Sequence, residues 1–198
     1  MFNIKNKIKN EGGFTLVELM VATTVFVVIV ISSIGSLIAL MGASKDSRGL
    51  RFSMDNVNFA MESMTRSIRM GVNYYCGDAV PDLITDTQDC PLGANLFSFV
   101  PQLNDGSLSE ERVSYKLHKR DTEVDSYTIQ RCIGTLDSDC IEIVSSDINI
   151  NKLTFFVKGS NPYDSTQANV YILLKGTIDV KGKPASFMIQ TMASQRNF

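Results

Sequence analysis

The stretch GGFTLVELMVA, residues 12–22, decides the fold of this chain. Two glycines end a short basic head, and an apolar run that carries a single acid, Glu18, begins immediately after them. A lone carboxylate near the head of a membrane helix costs on the order of a few kcal/mol, so such a group usually has a partner or a function. The position of Glu18 is therefore the feature that any interpretation of this segment must explain.

The apolar run covers residues 14–41, in which Glu18 is the only charged side chain. As a helix rising about 1.5 Å per residue it would measure roughly 40 Å, more than the ~30 Å hydrocarbon core of a bilayer. It is also longer than the apolar region of a cleaved secretory signal, which has about 7–15 residues. We therefore expect residues 14–41 to be retained as a transmembrane segment.

The charge distribution orients this segment. Three lysines, Lys5, Lys7 and Lys9, stand against Glu11 in residues 1–13, so the remainder of the chain is acidic within a formal total of −2. Basic residues beside a membrane segment favour the cytoplasmic side, which predicts a single-pass protein with residues 42–198 outside the cytoplasm. An acidic body lacks the basic footprint of nucleic-acid binding, so no nucleic-acid contact is predicted.

Helical periodicity continues beyond the apolar run. Apolar residues recur on one side of the predicted helix, charged residues lie on its other sides, and no proline interrupts residues 1–80. This pattern predicts one long helix over residues 14–70, ended near Gly71, with an amphipathic second half. The stripe consists of six apolar residues that recur at steps of four and three: Leu50, Met54, Val57, Met61, Met64 and Ile68.

Strand patterns follow the helix. Residues 73–95 are rich in Gly, Asp, Pro and Cys and are predicted to be loop. The chain is therefore predicted to have an α+β fold, in which the methionine-rich stripe packs on one face of an antiparallel meander. The predicted strands are residues 96–101, 110–119, 124–132, 140–144, 148–158, 170–180 and 185–194.

Four cysteines, Cys76, Cys90, Cys132 and Cys140, follow the predicted membrane segment. Outside the cytoplasm they can oxidise. Three connectivities are possible and the sequence does not choose among them, although short spacing favours Cys76–Cys90 and Cys132–Cys140. A zinc site is the competing interpretation, but no CxxC spacing occurs and His118 is remote in sequence from every cysteine, so no metal is predicted.

No constellation of residues indicates an enzyme. The chain has no nucleophile elbow, no phosphate-binding loop and no metal-ligand spacing, so neither a catalytic residue nor a cofactor is predicted. The one histidine, His118, lies among Lys116, Lys119 and Arg120 and is predicted to be a solvated surface residue in front of a charged turn.

Two short polar segments carry oxygen atoms of the kind that bind calcium. One contains Asp137, Ser138 and Asp139, and the other contains Asn104 and Asp105. Neither has the spacing of a calcium loop, and both are predicted to be turns.

The opening stretch resembles the class III signal of type IV pilins and of the pseudopilins of type II secretion. That motif has glycine, a hydrophobic or aromatic residue, threonine, two aliphatic residues, glutamate and leucine ahead of an apolar helix, and all are present in order. The resemblance implies that a prepilin peptidase cleaves between Gly13 and Phe14 and that the new amino terminus of Phe14 is methylated. Residues 1–13 would then be a leader peptide.

The resemblance also implies a role for Glu18. In this family the glutamate is thought to pair with the amino terminus of a neighbouring subunit during assembly. An ammonium and a carboxylate both gain from pairing in a low-dielectric bundle. The alternative is an interfacial acid that reaches the lipid headgroups. Thr15 is interpreted as part of the motif, with a hydroxyl that bonds the backbone at the start of the helix.

Two further features bear on the subtype. Gly35 stands where many major pilins have a proline, which disfavours the role of a major filament subunit. The segments NVNFAMESMTRSIRMGVNYYCG and QTMASQRNF resemble J-type pseudopilins and W-type minor pilins. The implied partners are the prepilin peptidase and methylase, other pilins or pseudopilins, an inner-membrane assembly platform and lipid. The implied location is the bacterial cytoplasmic membrane, or a filament after assembly.

The sequence thus supports a filament subunit, a minor pilin or a pseudopilin assembled through its N-terminal helix. The alternative is an extracytoplasmic binding domain tethered by an uncleaved signal anchor. A tether needs only length and apolarity, so it explains neither the GGFTLVE motif nor the stripe that continues beyond the apolar run. A pilus, a type II secretion system and a DNA-uptake system all remain compatible with these features.

Overall fold

The computed structural model describes residues 12–81, 83, 85–103, 105–120, 125–134, 139–161, 166–180 and 182–196. The chain divides into two compact units, Met1–Lys45 and Asp46–Phe198. Within the described residues one helix is followed by nine strands, and every ladder between the strands is antiparallel. The predicted α+β class is confirmed.

Helix α1 runs from Leu16 to Arg69, 54 residues, so the prediction over residues 14–70 is confirmed to within two residues at each end. From Gly12 to Lys45 every side chain is exposed except the half-buried Val30. The most apolar window of α1 has a mean hydropathy of 2.5 and no buried residue, and by length and composition the helix can cross a membrane. A helix that is apolar all round requires lipid or other helices around it.

The strands form two sheets rather than the single meander that the sequence predicts. A five-stranded sheet has the order β1-β3-β4-β5-β6, and a four-stranded sheet has the order β2-β7-β8-β9. The strands are β1 Gly71–Gly77, β2 Cys90–Ala94, β3 Leu96–Pro101, β4 Val113–Lys119, β5 Tyr127–Ile133, β6 Cys140–Glu142, β7 Ile148–Lys158, β8 Asn169–Val180 and β9 Lys183–Ser194.

The prediction of loop over residues 73–95 is wrong at both ends of that range, because β1 extends to Gly77 and β2 runs from Cys90 to Ala94. Strand β1 pairs with β3 across a register shift beside Asn73, whose φ is 53°, and β2 pairs with β7 in an irregular register. Turn-forming residues thus occupy strands whose geometry depends on distant partners, which composition does not reveal.

The boundaries of the later strands are closer to the prediction. Strand β7 has the predicted bounds, and β8 and β9 each begin one or two residues early. Strand β4 begins at Val113 rather than residue 110, β5 begins at Tyr127 rather than residue 124, and β6 ends at Glu142. Val124 lies outside the described residues.

The helix stripe is buried, as its periodicity predicts, but it packs with residues of both sheets rather than on one face of a single meander. Leu50 and Met54 are partly buried, and the other four members of the stripe are buried in one cluster with residues of both sheets. Phe97 of β3 and Phe155 of β7 join the two sheets, with ring centroids 5.5 Å apart. Burial of each such side chain contributes about 1.5–3 kcal/mol to folding, so the stripe holds the Asp46–Phe198 unit together.

Truncation of the stripe tests this packing. We expect Met64→Ala to lower the free energy of unfolding by about 2–5 kcal/mol, because Met64 is fully buried and its removal leaves a cavity. Met188→Ala is the matched control, since Met188 is 70% exposed, and we expect a change within about 0.5 kcal/mol. Urea unfolding of the detergent-solubilised chain measures both, and equal effects would contradict the assigned core.

Candidate functional site

The candidate processing site lies immediately before α1. Residues Gly12 to Thr15 are not helical, and Gly13 and Phe14 are both exposed. The side chain of Phe14 is 83% exposed. The Gly13–Phe14 peptide bond is therefore accessible in an irregular segment, and no element of the described chain covers it.

The threonine of the motif is the N-cap of α1. The Thr15 hydroxyl accepts a hydrogen bond from the Glu18 N–H at 3.3 Å, and the Thr15 carbonyl accepts one from the Leu19 N–H at 3.2 Å. The expected hydrogen bond between the Thr15 hydroxyl and the backbone is confirmed, with the hydroxyl oxygen as the acceptor. The sequence T-x-x-E, with threonine at the N-cap and glutamate at the third helical position, has the pattern of a capping box, and the structure shows the half of it in which the Thr15 hydroxyl accepts from the Glu18 N–H.

This capping geometry gives Glu18 a position that the sequence analysis did not identify, although the letters TLVE carry its signature. The carboxylate stands in the first turn of α1, where the helix dipole favours negative charge. Its side chain is exposed in the isolated chain. A second group with a positive charge can therefore approach Glu18 without displacing any part of the described fold.

The hydroxyl groups of the apolar segment bond to the helix itself. Each donates to a backbone carbonyl three or four residues earlier at 2.8–3.1 Å, so the polar atoms of these side chains need no external partner. Because these hydroxyl groups are already hydrogen-bonded, their transfer into lipid costs little free energy. The residues concerned are Thr23, Thr24, Ser32, Ser33 and Ser36.

The four cysteines form the two disulfides that short spacing favours. Cys76 of β1 bonds to Cys90 of β2, with 5.6 Å between the Cα atoms, and so joins the two sheets. Cys132 of β5 bonds to Cys140 of β6, its direct cross-strand neighbour, with 4.0 Å between the Cα atoms. Each bond closes a short loop and restricts the unfolded chain.

A buried arginine, Arg112, holds the segment that precedes β2. Its side chain is 2% exposed, and its guanidinium donates to the Asn73 carbonyl at 2.5 Å and to the Leu83 and Asp86 carbonyls at 3.2 Å each. It also donates to the Ser98 hydroxyl at 3.1 Å. Burial lowers the pKa of Arg112 from its ordinary value, while the nearby Asp86 opposes that shift. The sequence offered no signal for this role.

A second arginine, Arg120, belongs to the charged turn KRDTE that the sequence predicts between two strands, residues 119–123. The structure buries it, and its guanidinium donates to the Glu142 carboxylate at 2.9 Å and to the Ile148 carbonyl at 3.0 Å. It also donates to the carbonyls of Val144 and Ser145 at 3.3 and 3.2 Å. Arg120 thus pins the connection between β6 and β7, which composition alone did not indicate.

The same connection is tied to α1. The Ser53 hydroxyl of α1 donates to the Asp147 carboxylate at 2.5 Å, and the Ser145 N–H donates to the Asn56 side chain at 3.1 Å. Burial disfavours the charge of Asp147, yet hydrogen bonds from the hydroxyls of Ser145 and Ser53 outweigh it and lower the pKa of Asp147. We interpret these contacts as structural, because they hold the connection between β6 and β7 against α1.

The remaining sequence candidates are dispersed. His118 is half-buried in β4 opposite Thr128, rather than fully solvated. Asp105 is exposed and accepts two hydrogen bonds from Ser107, which is the geometry of the predicted turn. Asp139 is exposed, whereas Asn104, Asp137 and Ser138 lie outside the described residues. Among the residues that are described, no three potential metal ligands come together.

Comparison with known proteins gives one match. The family model described as the prokaryotic N-terminal methylation motif matches residues 8–34. The match contains Gly13, Phe14, the N-cap Thr15 and Glu18, together with most of the apolar segment of α1. No curated protein and no solved structure matches the chain.

Removal of the buried arginine tests its structural role. We expect Arg112→Ala to lower the free energy of unfolding by about 3 kcal/mol or more, because the buried Ser98 hydroxyl and three partly buried carbonyls lose their donor together. Arg51→Ala is the control, since Arg51 is exposed on α1, and its effect should stay within about 0.5 kcal/mol. Thermal unfolding of both variants measures the difference, and an unaltered Arg112→Ala protein would refute the role.

Proposed function

We propose that this chain, whose motif and fold are those of a type IV pilin-like protein, is a minor pilin or pseudopilin of a pilus or secretion filament. One observation carries the proposal: Gly13, an exposed Phe14 and a Glu18 in the first helical turn stand in order at the head of a helix whose first half is apolar and exposed. A plain membrane anchor requires none of the first three features.

Processing in this proposal occurs at the start of α1. A prepilin peptidase cleaves after Gly13, removes the basic leader of residues 1–13, and leaves an amine on Phe14 that becomes methylated. Residues 14–41 stay in the bacterial cytoplasmic membrane as the transmembrane and assembly segment, and residues 42–198 lie outside. The two disulfides support an oxidising compartment for the second unit.

Assembly in this proposal replaces lipid by other helices. The apolar surface of residues 14–41 packs against the corresponding helices of other pilins or pseudopilins, with the help of an inner-membrane assembly platform. Glu18 pairs with the Phe14 ammonium of a neighbouring subunit, because opposite charges attract strongly where water is excluded. The exposed position of Glu18 in the first helical turn is compatible with such a partner.

The finer assignment to a minor subunit is part of the same proposal. Helix α1 passes through Gly35 without a proline, and its second half ends in the segment that resembles J-type and W-type proteins. An extracytoplasmic binding domain tethered by an uncleaved anchor is the competing function, and the amino terminus of the mature chain separates the two.

The amino terminus is the first test. We expect protein from membranes of the native host to have the mass of residues 14–198, corrected for two disulfides and one added methyl group. Intact-mass measurement with amino-terminal sequencing checks this. A chain that still begins at Met1 would overturn the proposal and favour the tether.

Substitution of Glu18 tests the pairing separately from helix capping. Glutamine can serve in a capping box but cannot pair with an ammonium, so we expect Glu18→Gln to be cleaved and inserted normally yet to be incorporated into filaments at least about tenfold less. Quantification of the chain in sheared filament fractions measures this.

The control for that experiment is Thr15→Ser, which keeps the cap hydroxyl and should be incorporated normally. Normal incorporation of Glu18→Gln would count against the ion pair and would assign Glu18 to capping alone.

A further inference from the structure

Strand β9 differs from the other strand edges of the described fold. The edge strands β1, β2 and β6 have seven, five and three residues, and the first two have irregular registers. Strand β9 has 12 residues, pairs with β8 alone and keeps an unbroken register from Lys183 to Ser194. Natural proteins usually protect such an edge with charges, bulges or a short strand.

The residues of β9 carry little of this protection. The sequence PASFMIQTMAS, residues 184–194, has no charged residue, and its one proline stands at the start of the strand. Two residues connect β8 to β9, and Val180 is the partner of Lys183 in the register. In a hairpin with a two-residue turn, the pair that closes the turn is a hydrogen-bonded pair. The residues in phase with Pro184 therefore direct their backbone groups away from β8, to the free edge; among them are Ser186, Met188 and Gln190.

Burial across the sheet indicates that the edge is incomplete. The inward residues of β8, such as Ile172 and Leu174, are fully buried. Their neighbours on β9, Thr191 and Ile189, face the same side but are only half-buried. A further strand beside β9 would bury the side chains of Thr191 and Ile189, just as β9 helps to bury those of Ile172 and Leu174.

An open groove of about 880 Å³ lies on this side of β9, between the strand and the second half of α1. Its charged lining residues are Arg66, Arg69, Arg196 and Glu62, and Glu62 bonds to Arg66 at 3.0 Å. The groove is therefore basic in a chain whose formal charge is −2. Side chains that project inward from an added strand would enter it.

We propose that β9 is a docking edge for an extended segment of a different filament subunit, which adds a strand to the four-stranded sheet. That segment presents apolar side chains to Ile189 and an acidic side chain to the basic end of the groove, near Arg69. A second copy of β9 does not supply this acid, because residues 184–194 contain no Asp or Glu. The main-chain bonds give affinity and the groove selects the side chains. The proposal rests on the proposed function as a filament subunit.

Photo-crosslinking in the native host tests the docking edge. A benzophenone amino acid replaces Gln190 of the full-length chain, and the adducts are identified by mass spectrometry of the crosslinked peptides. The control position is Lys175, which is exposed on β8 one strand further from the edge. We expect an adduct from position 190 to another chain that has its own N-terminal methylation motif, at a segment that contains Asp or Glu, and at least tenfold less from position 175.

Two variants identify the contact. Arg69→Glu should reduce the adduct at position 190 at least fivefold, whereas Arg51→Glu, an equal change on the same helix outside the groove, should not. Thr191→Lys places a charge at the half-buried wall of the groove and should reduce the adduct similarly. Thermal unfolding of Thr191→Lys checks that this variant folds. If it does not fold, the comparison of Arg69→Glu with Arg51→Glu decides whether the groove contacts the partner.

The outcomes separate this inference from the proposed function. Three results overturn the docking edge: no adduct above the control, an adduct only to a second copy, or an adduct that Arg69→Glu leaves unchanged. The amino terminus is measured in the same samples. A methylated Phe14 without an adduct overturns the docking edge alone, whereas a chain that begins at Met1 overturns the filament function.

Discussion

The rest of the structure depends on one constraint: the first half of α1 is not covered by any of the described residues. Its side chains are exposed almost without exception, and its hydroxyl groups bond to its own carbonyls. Exposed apolar surface on this scale marks a membrane or an interface rather than a soluble surface. The exposed apolar surface of this half therefore requires lipid or other helices around it, and the proposed transfer from the membrane to a filament would meet this constraint in both places.

The second half of the same helix satisfies the opposite requirement. There the apolar residues narrow to one stripe, and the stripe meets residues from both sheets in a single core. Tyr74 of β1 donates its hydroxyl hydrogen to the Ile68 carbonyl at 2.6 Å, so the end of α1 and the start of the first strand are fixed to each other. One helix thus serves two environments. Between residues 41 and 50 its pattern changes from apolar on all sides to a single apolar stripe.

The long helix and the last three strands were predictable because their patterns are local and repeated. Steps of four and three residues define the stripe, and alternation over β8 defines its buried face. Strands β1 and β2, the division into two sheets and the burial of Arg112 and Arg120 were not predictable, since each depends on partners far along the chain. At the candidate site the motif gave Gly13, Phe14 and Glu18, whereas the cap made by Thr15 needed the backbone to place it.

Magnitudes explain why the cap alone does not account for Glu18. A carboxylate in the first turn gains about 0.3–1 kcal/mol from the helix dipole. An ionised side chain at the centre of a membrane helix costs about 2.5–3.5 kcal/mol. Near the headgroups water lowers that cost, so the helix dipole can offset the cost of an ionised Glu18 while the chain is in the bilayer. In the proposed assembly other helices would replace the headgroups around residue 18, the cost would rise towards the larger figure, and the dipole would no longer offset it. The proposed pairing supplies the missing stabilisation, because cleavage after Gly13 would create a cation on each subunit at the residue just before the cap.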